Sequence, residues 1–367
     1  MRPWLIKQIK NEKGAAYFMF REESIMKGMS ILLLLATCFF MVVPLYGSDE
    51  QQVSKLRDEV KNKGWLLYSA KSLNGTWDIF LSRPDGSQSR NITNTADFEE
   101  AAPHFFNDGK KIIYRQAAKG TIFQPARYGF QGRLVIADSN GANPTIIGEE
   151  GQYTWAVISE DGKFVCCITP KEVQIIDLST KEKVRGFPRQ SVFWLGGWSL
   201  DGKWVCGVTN SEGLWTIVRI NVESGEQNIV HQFQNCTPDW FPDSKYIIYS
   251  SRPAGQTGAK GYGYTQLWMS EGEGRDHRLI YGEDGLHVYG GSVSPDGQYI
   301  LFTKGGNEGG GAKESGATIC IMRLADAPTI TGESIELRKV HPDTKDGTIL
   351  ELEPGWEPSW TYSEIIE

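Results

Sequence analysis

Gly196-Gly197-Trp198-Ser199-Leu200-Asp201-Gly202-Lys203-Trp204-Val205 is the stretch that decides the fold. It places small residues and an aromatic before a tight Asp-Gly turn, and an apolar β run after it. The same signal returns at residues 103–112, 156–165, 238–247 and 291–300. The turn aspartates Asp108, Asp161, Asp201, Asp243 and Asp296 lie 53, 40, 42 and 53 residues apart. Short strands repeating at that period cannot bury both faces of one small sheet, so successive sheets must stack, and the closed solution is a β-propeller. The turn itself has a physical cause. An aspartate accepts a hydrogen bond from the backbone two residues on, and glycine takes the left-handed conformation at no steric cost.

Each unit reads as four short β-branched and aromatic strands bounded by Gly, Asn and Asp turns. Second strands are expected at 111–114, 164–168, 204–208, 246–250 and 299–303, and third strands at 134–137, 173–178, 215–220, 267–269 and 318–322. The more polar fourth strands include 145–148, 227–231 and 335–340. Five turns make five blades, and a sixth is split between the chain ends. Residues 358–363 repeat the first-strand pattern, while 65–69, 78–82 and 90–93 read as the strands that follow it. The expectation is an all-β, six-bladed propeller over residues 64–363, closed by strand 357–362 pairing with 65–69 so that no edge is left open between the ends.

Trp-Ser-Leu-Asp-Gly-Lys and Ser-Pro-Asp-Gly, followed by an apolar strand and a third strand such as Asp78-Ile79-Phe80 or Gln266-Leu267-Trp268, resemble the repeat of the TolB-type propeller family. The resemblance covers residues 64–363 and implies six blades. It is specific for fold and not for function, and the same repeats also resemble parts of oligogalacturonate lyase and of prolyl-oligopeptidase-type propellers. TolB carries an amino-terminal α/β domain before its propeller. Here residues 48–63 stand in that place, enough for one short helical linker with Val53, Leu56 and Val60 on one face.

The chain carries a net charge of −7. Its first 47 residues hold six basic and three acidic side chains, so without them the charge is −10. An acidic body argues against nucleic acid and anionic membrane surfaces as partners. Residues 31–43 are uncharged and apolar, with Lys27 before them and Asp49-Glu50 after, as in a secretory signal. Residues 1–47 therefore read as an upstream extension plus a signal cleaved near Gly47-Ser48, or a retained anchor. Periplasmic or secreted protein is expected, touching a membrane only through an uncleaved leader. Cys166 and Cys206 occupy equivalent places in successive repeats and read as buried free thiols.

The connections between blades enter the axial channel on the face opposite the Asp-Gly turns. They supply Glu99, Glu100, Tyr153, Trp155, Phe193, Trp194, His287, Tyr289, Trp356 and Glu357 as candidate ligand-binding residues. Three long loops (116–132, 252–265 and 304–317) border the same face. A partly exposed aromatic platform there suits sugar rings or an extended peptide. Glu99-Glu100 is the only candidate acid–base pair, and acids at this point commonly bond blade backbone. No nucleophile elbow, phosphate loop or metal spacing occurs, so no catalytic residue, metal or cofactor is assigned. The favoured expectation is a non-enzymatic exported propeller binding a protein, peptide or envelope polymer. The alternative is a carbohydrate-active enzyme, a lyase or hydrolase on an acidic glycan.

Overall fold

The repeated turns form as their chemistry dictates. In a computed structural model describing residues 46–121, 132–252, 265–283, 286–305, 317–328, 331–332 and 347–365, Ser159, Ser199 and Ser294 each donate a hydroxyl to the turn aspartate two residues on, at 2.7–2.8 Å. Each serine hydroxyl also accepts the backbone N–H of the residue that starts the next strand (Phe164, Trp204, Tyr299) at 2.9–3.0 Å. The aspartates accept the N–H two residues further along, from Lys163, Lys203, Lys245 and Gln298. Every such turn therefore fixes both the exit of one strand and the entry of the next.

Six antiparallel sheets result. Blades 2 to 6 begin with the inner strands Phe98–Phe106, Thr154–Ile158, Val192–Trp198, Asn235–Trp240 and His287–Val293. Blade 1 takes its inner strand, Trp356–Thr361, from the far end of the chain. That strand pairs with Trp65–Lys71, with Trp65 opposite Thr361 and Leu66 opposite Trp360, and this pairing closes the ring. The fourth strand of blade 6 is Leu350–Pro354. The expected strand at 335–340 falls outside the described residues. Blade 5 carries a short fifth strand, Thr331–Gly332, on its outer edge, which the repeat pattern did not announce.

Residues Gln52–Glu367 make one compact unit. Its helical segment, the later part of a helix over Tyr46–Val60, buries Leu56 and Val60 completely against Leu66, Tyr68, Tyr299 and Trp360. The indole of Trp360 donates to the Lys63 carbonyl at 2.6 Å. Cys166, Cys167, Cys206 and Cys320 are buried free thiols packed as small apolar groups.

One irregularity shapes the channel. Register slips in the inner strands or their pairings fall at Ala101/His104, Thr154/Ala156, Leu195/Trp198, Cys236/Asp239 and Tyr289/Ser292, and at the matching point of blade 1. Ala102, Trp155, Thr237, Gly290 and Glu357 there take φ of +53°, +33°, +47°, +60° and +50°. A bulge of this kind bends the strand and re-aims its side chains. Repeated around the axis, it turns the inner strands into the wall of a channel.

Candidate functional site

Beyond the bulge, the residue four positions before each turn aspartate faces the axis. His104, Val157, Gly197, Asp239 and Ser292 hold this position, and Ser359 completes the layer from the closing strand. All six line a cavity of about 570 Å³ at the Asp-Gly end of the channel. Its rim is apolar, with Phe105, Phe241, Pro242 and Pro295, and Leu200 stands 56% exposed at a turn tip. Further in, the bulge layer itself (Trp155, Leu195, Thr237, Gly290, Glu357) surrounds a smaller cavity of about 40 Å³. His104, Gly196, Asp239 and Ser292 line both, so the two cavities adjoin at this layer.

The electrostatics of this channel are one-sided. Asp239 accepts the Trp240 N–H at 2.8 Å. Burial pushes its carboxyl up to about 7, against the opposing pull of that N–H and of the Ser292 hydroxyl. Burial holds the His104 imidazole down at about 4, so it is neutral at physiological pH. Asp108 and Glu160 stand at the exposed rim, and Glu357 lies in the inner layer. No Lys or Arg lines either cavity among the described residues. No cluster of three or more His, Cys, Asp or Glu suited to a metal occurs there either.

The residues singled out from sequence separate into two groups. Trp155, Trp194 and Glu357 reach the inner cavity. The others serve the walls. Glu99 accepts the Trp77 N–H at 2.6 Å and the Gly120 N–H at 3.0 Å, bonding backbone as acids at this position commonly do. Glu100 accepts from Thr95 and Gln116 at 2.8 and 2.9 Å and lies against Asp78. The Tyr153 hydroxyl accepts from Gln152 at 2.8 Å, and Phe193 packs edge-on to Trp215. His287 meets Tyr289 edge-on at 4.4 Å, and Trp356 meets Trp77 at 5.8 Å.

The expected exposed aromatic platform is not what these rings form. Trp155, Trp194, Tyr289 and Trp356 are 8, 4, 1 and 0% exposed. The rings of Trp155 and Trp194 stack on one another at 3.7 Å and so cover each other's faces. Burying large rings between blades gains more than leaving them wet, and the axis is where blades converge most closely. The three bordering loops lie mostly outside the described residues (122–131, 253–264 and 306–316). Sequence reasoning missed the layer of His104, Asp239, Ser292 and Ser359. The signal was present as a polar or small residue at a constant offset from four of the five turns, with Val157 in its place at the fifth.

Neither a family model nor a curated protein matches the sequence. Solved structures do. TolB from Acinetobacter baumannii superposes with a TM-score of 0.58 at 18% identity, covering 82% of this chain and 67% of that one. In fold, the chain is a six-bladed propeller similar to that of TolB. A protein described as TolB from Agrobacterium tumefaciens gives 0.51 at 17% identity over 73% of this chain and 87% of that one. A chain of a nidogen/laminin complex gives 0.52 at 11% identity, covering 81% and 98%. At these identities the likeness of this propeller to its neighbours is one of fold, and propellers host many functions.

Proposed function

We propose that the chain is a non-enzymatic propeller that binds a protein or peptide segment at the Asp-Gly mouth of its axial channel. The observation that carries this reading is the cavity of about 570 Å³, whose apolar rim surrounds a polar layer of His104, Asp239, Ser292 and Ser359. An extended segment fits such a mouth, seating apolar side chains on the rim while one side chain points down the axis. The enzyme alternative finds less support. A lyase on an acidic glycan needs a base and a cation to neutralise the uronate, and the described lining offers carboxylates, one neutral imidazole and no Lys or Arg. The test is selection of peptides from a random displayed library. Enrichment on the unaltered protein, lost with a folded Ser292→Trp variant that plugs the channel, is the expected result. Peptides that bind both proteins equally, or no enrichment at all, overturn it.

Export belongs to the same reading. Among the described residues no helix is long and apolar enough to cross a membrane, and the apolar stretch 31–43 with its basic and acidic flanks supports a cleaved leader. Amino-terminal sequencing of protein from the envelope fraction is expected to begin near Ser48. Intact chain recovered from the cytoplasm contradicts export.

A further inference from the structure

The channel departs from an ordinary protein surface in its charge balance. Cavities and clefts on proteins generally mix both signs, and a carboxylate drawn out of water is normally met by a cation. Here, among the described residues, Asp239 sits at the axis with only the Trp240 N–H and the Ser292 hydroxyl to hold it. Opposite it across the six-bladed ring, on blade 2, the His104 imidazole makes no hydrogen bond with any described residue. Asp108 and Glu160 approach from blades 2 and 3 at the rim, Glu357 from blade 1 one layer in, and the Tyr362 phenol from the closing segment. None of these groups is cationic at neutral pH, and the surrounding protein is itself acidic.

We infer that the axial channel is built to receive a cationic group, the ammonium or guanidinium of a ligand's side chain, with Asp239 as its counter-ion and His104 as a neutral hydrogen-bonding partner. The inference rests on the channel-mouth reading above and gives it a ligand chemistry. An amine entering along the axis meets a carboxylate that no cation among the described residues satisfies, in a partly enclosed cavity, where charge pairing is stronger than at the open surface. The stem of a lysine or arginine would lie between Val157 and the aromatic rim, as long basic side chains lie along apolar walls. The chemistry also sets a pH dependence. His104 stays neutral across the range, so Asp239 is the axial group that titrates near neutrality. A bound cation draws its proton off, so binding tightens as pH rises through about 7.

The experiment uses three small probes on the full chain: the methylamides of N-acetyl-lysine, N-acetylnorleucine and N-acetylglutamate. Quenching of tryptophan fluorescence reports binding, since Trp198, Trp240 and Trp360 line the cavity. The lysine probe is expected to bind roughly ten-fold or more tighter than the norleucine probe, which has the same four-carbon stem without the ammonium, and the glutamate probe weakest of all. The lysine advantage should grow several-fold between about pH 5.5 and 8, and vanish in Asp239→Asn. The comparison of probes on the unaltered protein stands even if that variant misfolds. Equal affinity for lysine and norleucine overturns the inference. If library peptides still bind at the mouth in that case, the channel-mouth reading survives alone; if none bind, both fail.

Discussion

At the scale of single residues, two acids near the axis, Glu100 and Asp239, have their carboxyls raised by burial. Glu100 is fully buried against Asp78, and desolvation, with the neighbouring acid adding, raises its carboxyl to about 7 from an ordinary 4.5. The folded state then keeps a proton that the unfolded chain has lost. The stability this contributes is fully present below about pH 4.5 and is lost as pH rises through about 7. Asp239 acts in the same direction. His104 and His287, held by burial at about 4 and about 3, act oppositely: their contribution is present above about 6.5 and is lost as pH falls through those values. Glu100→Gln removes one titrating group while keeping a similar shape. Its melting temperature is therefore expected to fall less steeply between pH 5 and 7.5 than that of the unaltered protein. Superimposable pH slopes for the two would show that Glu100 does not carry the effect.

At the scale of elements, the turn is what the sequence states most clearly, and the inner strand what it states least. Ser199, Asp201 and Gly202 each have a local role that a reader can assign without the fold, because the side-chain bonds that Ser199 and Asp201 make within the turn span five residues or fewer. Ser199→Ala removes two of those bonds at one turn and is expected to cost about 1–2 kcal/mol in denaturant unfolding, without changing the slope of the transition. An unchanged midpoint would mean that the glycine alone makes the turn. The inner strands are different, since their bulges answer to the convergence of six blades at the axis. The burial of Trp155 and Trp194 depends on a partner ring from the next blade, and the place of Asp239 on the cavity wall depends on how six inner strands converge. Such facts are set by contacts across 40 or so residues of chain. The positions of the candidate residues could therefore be read, but not which face of the channel is open. Gly196 shows the same tight convergence: a Cβ there would overlap the Pro238 carbonyl oxygen of the next blade.

At the scale of the whole molecule, the ring is as strong as the blade that both chain ends build. Five blades have a covalent turn between inner and second strands, Asp-Gly in four and Asp243-Ser244 in blade 5; blade 1 has none, and holds by strand pairing and side chains. Trp360 joins the seam to the helix through the Lys63 carbonyl and through contacts with Tyr299 and Tyr362. Arg83 grips Glu364 with two hydrogen bonds at 3.1 and 3.0 Å, while its guanidinium stacks on Trp65. Loss of Trp360 alone, as Trp360→Ala, is expected to cost about 3–5 kcal/mol, in line with a buried tryptophan. Removing residues 356–367 should do more than its length implies, because it exposes the edges of Trp65–Lys71 and of the neighbouring inner strands at once. The truncated chain is expected to lose its single cooperative thermal transition by near-ultraviolet circular dichroism. A synthetic peptide of residues 355–367 added in trans should partly restore that transition, since every contact it makes is non-covalent. A truncated chain that melts as sharply and as late as the full one would show that blades 2 to 6 hold the ring without the seam.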